Sequence, residues 1–143
     1  MATKNHGLIL DYVCSKVRDY EEVNHAWRVA RDVSKMGCSD SAMDVALLHD
    51  VVEDGYSTLE NLKSLFDLDE SQVIALDALT RKEGERYFDY IRRLKTNAIA
   101  KYIKLSDLQD NINRCACDLQ HRWGLLRRYA KAYAILIDKW DDK

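Results

Sequence analysis

Proline is absent from this 143-residue chain, and glycine occurs only five times. Little in the sequence breaks a helix, so helix is the favoured state. No convincing period-two alternation appears, and strands are not expected. The four cysteines (Cys14, Cys38, Cys115, Cys117) lack disulfide-scaffold spacing. Cys115 and Cys117 stand two apart on an expected helix and point to different faces. Reduced thiols, and hence a cytoplasmic protein, are the expectation. No run approaches the roughly 20 apolar residues needed to span a bilayer. Met1 to Asp11 has no basic start followed by a long apolar stretch, so no signal peptide is expected. An excess of basic charge is also missing: 22 Lys and Arg face 24 Asp and Glu, for a net charge of −2. That balance excludes a general nucleic-acid binder, while local basic clusters leave room for a small phosphorylated ligand.

What is present is globular. Apolar residues make up 47% and charged residues 32% of the chain, and residues 1–143 are long enough for one domain with a real core. Val23, Ala26, Trp27, Ala30 and Val33 fall at helical spacing and predict one buried face. Gly37 ends that helix, and Ser39 or Asp40 caps the next, which carries Ala42, Val45, Ala46 and Leu48 to about Val52. Thr58 opens a short helix to about Phe66. Further helices are expected over Glu70 to Thr80, Glu85 to Lys95 and Ala98 to Ile112. A last one is lined by Leu125, Leu126, Tyr129, Tyr133 and Leu136. The reading is an all-α bundle of seven or eight helices, with a disordered start around His6.

Chemistry concentrates in Ala46-Leu47-Leu48-His49-Asp50-Val51-Val52-Glu53-Asp54-Gly55. An imidazole beside a carboxylate suits a divalent metal. A second carboxylate pair one turn away can hold and activate water without being consumed as ligands. A stable site needs at least three protein ligands, and only four histidines are available. His25, taken alone, is as well explained as a core or boundary residue. Asp107, alone, is as well explained as a surface carboxylate or half of a salt bridge; if buried, it needs a partner.

Together these residues resemble the HD superfamily of metal-dependent phosphohydrolases, and more narrowly the hydrolase domain of the RelA/SpoT family. His25-Ala26-Trp27-Arg28-Val29-Ala30 resembles the family's His-Pro-x-x-Val-Ala, and Leu47-Leu48-His49-Asp50-Val51-Val52-Glu53-Asp54 resembles its signature nearly letter for letter. Ala78-Leu79-Thr80-Arg81-Lys82 is similar to the Val-Thr-Lys segment. Ile103-Lys104-Leu105-Ser106-Asp107 with Asn111 is similar to Lys-Leu-Ala-Asp-x-x-x-Asn. The resemblance implies a compact multi-helix HD-domain bundle that hydrolyses the 3′-pyrophosphate of guanosine tetraphosphate and pentaphosphate. It implies one divalent ion, manganese in this family, held by His25, His49, Asp50 and Asp107. It makes Glu53 and Asp54 the acidic pair that orients and deprotonates water, and Asn111 a contact to the nucleotide sugar. Lys104 becomes a candidate to steady phosphate or the acidic cluster, with a surface lysine as the simpler alternative.

The nucleotide side departs from the family pattern. Its Arg-Lys pair before the first His, which touches the base, has only Lys16 and Arg18 in its place, at different spacing. The Pro after that His is Ala26, and Asn111-Ile112 is followed by Asn113 and then Arg114, where the family puts Arg directly. Leu108-Gln109-Asp110 replaces Arg-Leu-His. These changes keep a second reading in play: an HD phosphohydrolase acting on a nucleoside monophosphate or phosphorylated dinucleotide. A third, non-enzymatic reading would require a degraded ligand set.

Overall fold

Side-chain caps decide where most helices begin. The computed structural model describes residues 5–140, which form α1 (His6–Lys16), α2 (Tyr20–Lys35), α3 (Asp40–Leu48), α4 (Leu59–Phe66), α5 (Glu70–Leu79), α6 (Tyr87–Lys95), α7 (Ala98–Ala116) and α8 (Leu119–Leu136). Among the described residues there is no strand, as expected. Asp19, Ser39, Thr58, Asp69 and Asn97 each accept a backbone N–H of the following first turn, satisfying donors that have no partner within the helix. Asp69 and Gln72 complete a reciprocal capping box. At the end of α2 the chain reverses through Gly37 at φ +79°. There Cys38 N–H reaches Val33 and Gly37 N–H reaches Ser34, a Schellman closure whose left-handed residue favours glycine.

The long helix α7 runs through the middle of the bundle and packs against α2, α3, α5, α6 and α8. Its Ala100, Ile103 and Leu108 are fully buried, as are Leu48 of α3, Leu76 of α5 and Ile91 of α6. Each leucine and isoleucine among them contributes about 1.5–3 kcal/mol by leaving water. The same helix carries Asp107 and Asp110 inward, three residues apart and on one face. A bundle centred on α7 thus places carboxylates where α2 and α3 deliver histidines. Among the described residues no helix is long and apolar enough to cross a membrane.

Four expectations are corrected. The start is not disordered from His6 onward: α1 forms there and buries Ile9 and Val13, and the His6 imidazole contacts the buried carboxylate of Asp44. Helix α3 stops at Leu48 rather than near Val52, and residues 49–56 form a chain of tight turns. Trp27 is not in the buried face, which runs through Ala26, Val29, Ala30 and Val33; its ring is about half exposed, with Arg31 stacked over it. On α8 the buried stripe is Ala132, Ile135 and Leu136, while Leu125 is exposed.

Candidate active site

Four side chains converge from three parts of the chain. His25 comes from the middle of α2, His49 and Asp50 from the turn that ends α3, and Asp107 from α7. One donor atom of each lies within 4.8 Å of all the others. His25 Nε2 is 2.8 Å from Asp107 Oδ1 and 3.8 Å from Asp50 Oδ2. His49 Nε2 is 3.0 Å from Asp50 Oδ2 and 3.3 Å from Asp107 Oδ1. His25, His49 and Asp107 are buried, whereas Asp50 keeps 39% of its side chain exposed and opens the cluster to a cavity.

The outer nitrogens are already occupied. His49 Nδ1 donates to the Ala46 carbonyl at 2.6 Å, a bond that the tight turn after Leu48 makes possible. His25 Nδ1 donates to Asp110 Oδ2 at 2.6 Å. Asp110 is in turn gripped by Arg28, whose Nε and Nη2 donate at 2.8 and 3.0 Å. With both Nδ1 atoms committed as donors, both Nε2 atoms are left to face a shared ligand.

Electrostatics agree with a cation centre. Burial by itself lowers the His25 pKa, but Asp107 and then Asp110 outweigh it and raise it. Burial likewise opposes charge on His49, yet Asp50 and Asp107 hold it well above its ordinary value. Burial would raise Asp107; the Lys104 ammonium, then the two histidines, draw it well below the usual carboxylate range. The pocket therefore gathers positive charge around two carboxylates, and its two imidazole nitrogens and two carboxylate oxygens are a donor set for a divalent ion. The residues present fit such a metal.

Glu53 and Asp54 stand on the turns beyond Asp50, on the wall of the same cavity, of about 310 Å³. Burial and the nearby Asp50 raise Glu53, against the pull of Lys104 and of the Arg81 backbone N–H. That N–H is fixed by the loop between α5 and α6, where Arg93 clamps Glu85 at 2.7 and 2.9 Å and donates to the Thr80 carbonyl at 3.1 Å. Burial, Asp50, Glu22 and Glu53 together push Asp54 up to about 6.

Three of the five expected substrate contacts line this cavity, and two do not. Lys104 lies within it, largely buried, donating to Asp107 Oδ2 at 2.8 Å; the simple surface reading is corrected. Asn111 donates to Asp107 Oδ1 at 3.2 Å and accepts from Arg114 at 3.1 Å, and Arg114 pairs with Glu22 at 2.8 Å. Lys16 and Arg18 are exposed outside the cavity, because the buried Val13 and Val17 turn their neighbours to solvent; Lys16 sits over the Tyr12 ring. The reading from sequence missed Asp110, although Asp107 with a carboxylate three residues on was its signal. It also missed Tyr87, Arg128 and Tyr129, which line the far wall.

Removing the charge of Asp110 tests its part. Asp110→Asn should weaken divalent-metal affinity about 10–100-fold, the usual cost of losing a carboxylate behind a ligating histidine. Competition with a metal-chelating dye measures it, and unchanged affinity would mean that His25 needs no such support.

Comparison with known proteins places the chain. No protein-family model matches it. It is 30% identical over 111 residues to guanosine-3′,5′-bis(diphosphate) 3′-pyrophosphohydrolase MESH1 of Drosophila melanogaster, a stretch that covers 74% of this chain. The match spans 62% of that relative's length, a little under two thirds. A solved structure described as a metazoan orthologue of SpoT that hydrolyses ppGpp superposes with a TM-score of 0.75 at 25% identity, over 96% of this chain and 87% of the other. The chain is similar in sequence and in fold to these ppGpp hydrolases. The expected multi-helix bundle is the one observed.

Proposed function

We propose that this HD domain, read as one unit over residues 1–143, hydrolyses the 3′-pyrophosphate of guanosine tetraphosphate and pentaphosphate. The products are GDP or GTP and pyrophosphate; the resident ion is manganese and the compartment the cytoplasm. The observation that carries the reading is the meeting of His25, His49, Asp50 and Asp107 within 4.8 Å, with Glu53 and Asp54 on the same cavity wall. Similarity to proteins described as ppGpp hydrolases supports it.

His25, His49, Asp50 and Asp107 would hold the ion. When bound, it supplies Lewis acidity and neutralises phosphate charge. The protein's own side chains do the rest. Glu53 orients a water and takes its proton, with Asp54 as the adjoining carboxylate. The water oxygen bonds to the phosphorus next to the sugar O3′, the P–O3′ bond breaks, and O3′ takes up a proton from solvent as it leaves while Glu53 returns its own to solvent. Lys104 holds Asp107 in place through its 2.8 Å bond, and Arg114 holds Asn111 toward the sugar.

The position of Lys16 and Arg18 outside the cavity favours a second reading, an HD phosphohydrolase acting on another nucleotide, because the base then lacks its expected contacts. Turnover of guanosine tetraphosphate by the manganese-loaded protein, set against nucleoside monophosphates and phosphorylated dinucleotides, separates the two. Manganese-dependent release of GDP and pyrophosphate is the expected result. Inertness toward guanosine tetraphosphate with turnover of another nucleotide would transfer the assignment.

A further inference from the structure

The cavity has a second wall, formed by α6 and α8, that the hydrolytic groups leave unused. On the first wall the cations are committed, Lys104 to Asp107 and Arg114 to Glu22, each at 2.8 Å. Arg128 is different. It forms no ion pair with a carboxylate among the described residues. Its Nε is buried and meets no hydrogen-bond partner. Its guanidinium lies over the Tyr87 ring, 3.6 Å from the centroid. The Tyr87 hydroxyl is also buried without a partner, and both residues line the cavity that reaches Asp50 and Asp107.

Two donors buried without acceptors, on residues that line one cavity, are costly unless a ligand that draws them out supplies the oxygens. Stacking on Tyr87 fixes the plane of the guanidinium and leaves its edge as a fork of N–H donors. A fork of that kind matches the oxygens of a phosphate better than a lysine does. Charge points the same way: along the rest of the cavity Glu22, Asp50, Glu53, Asp54 and Asp107 outnumber Lys104, Arg114 and the exposed Arg122. A polyanionic substrate needs a cation on the side away from them.

We propose that Arg128 and the Tyr87 hydroxyl form an anion subsite that holds a phosphate group of the substrate. The assignment rests on the hydrolase reading above and deepens it: the substrate carries phosphate at the four-donor centre and again at Arg128. The chemistry is that of a diphosphate, from either the nucleotide's 5′ end or the 3′ group being released.

The test titrates metal-loaded protein with inorganic pyrophosphate by calorimetry, for the wild type, Arg128→Gln, Arg128→Lys and Tyr87→Phe. Turnover of guanosine tetraphosphate and of guanosine 3′-diphosphate lacking 5′ phosphates is measured alongside. Arg128→Gln should weaken pyrophosphate binding about tenfold or more, with metal content unchanged. Arg128→Lys should recover part of the loss, as charge without the fork. Tyr87→Phe keeps the stacked ring and should lose a smaller share. A rise in KM confined to the substrate with 5′ phosphates assigns the subsite to that end; equal losses on both assign it to the 3′ diphosphate. Pyrophosphate binding that is the same in the wild type, Arg128→Gln and Tyr87→Phe overturns the subsite, whatever the turnover. A wild type inert toward guanosine tetraphosphate, yet dependent on Arg128 for pyrophosphate, would sink the alarmone reading and keep the subsite.

Discussion

Asp107→Ala is expected to abolish metal binding and turnover together, and to destabilise the metal-free protein as well. Asp107 meets both histidines of the centre and two side chains of its own helix. Its Oδ1 faces His25 Nε2 at 2.8 Å and His49 Nε2 at 3.3 Å and accepts from Asn111 at 3.2 Å, while Oδ2 accepts from Lys104 at 2.8 Å. Removing it takes one of two carboxylates from the donor set and leaves the buried Lys104 ammonium without its partner. Breaking a buried ion pair from one side costs about 3–5 kcal/mol. Loss of the metal's charge stabilisation, worth several kcal/mol, corresponds to a fall in turnover of about a thousandfold or more. Metal per chain by elemental analysis, turnover of guanosine tetraphosphate and the denaturation midpoint without metal should all drop. Full metal content in Asp107→Ala would remove it from the ligand set.

The centre could be read from sequence where its chemistry is contiguous. His49-Asp50 and Glu53-Asp54 sit within six residues, and the motif resemblance extended that stretch to His25 and Asp107. What escaped lies in side chains whose meaning depends on packing. Lys104 resembled a surface lysine, yet α7 is the central helix, and the residue three before Asp107 faces inward with it. Asp110 stood out only as a departure from the family pattern; the structure makes it the brace behind His25. Tyr87 stands at helical spacing with Tyr90, Ile91 and Leu94, a pattern that fits a core stripe equally well, and Arg128 lies off the apolar stripe of its helix; only the tertiary arrangement turns them toward a cavity.

The fold was legible to a similar depth. Cap residues such as Ser39 and Thr58, and the break at Gly37, marked real boundaries. Helix α1 was missed because it has no side-chain cap at Asn5 and buries only Ile9 and Val13; packing against α3 and α2 holds it. The early stop of α3 was hidden because His49 to Gly55 continues a helix-compatible sequence. The turns there are held instead by bonds such as Tyr56 N–H to Val51 and Gly55 N–H to Val52. Those turns aim both the His49-Asp50 pair and the Glu53-Asp54 pair, so the least regular segment of the bundle carries most of the chemistry.

Glu53→Gln should separate catalysis from metal binding. The change keeps size and hydrogen bonding but removes the basic oxygen, and Glu53 lies outside the four donor residues. Metal content and folding should match the wild type, while kcat falls about 10²–10⁴-fold, the range for loss of a positioned general base. Asp54→Asn should give a smaller loss and a change in pH dependence. A base works only when ionised, so activity is lost as pH falls through its pKa. Asp54 is pushed up to about 6 by burial and by Asp50, Glu22 and Glu53, and a divalent ion beside Asp50 opposes that carboxylate repulsion. The acid limb of kcat should therefore lie at or below about pH 6 in the wild type and shift or flatten in Asp54→Asn. Rate profiles from pH 4 to 8 at saturating manganese measure both effects. If Glu53→Gln turned over at the wild-type rate, proton removal from water would have to be assigned to Asp54 alone. If Asp54→Asn also left rate and acid limb unchanged, neither carboxylate would be the base, and the reading of the acidic pair would fail while the metal centre stood.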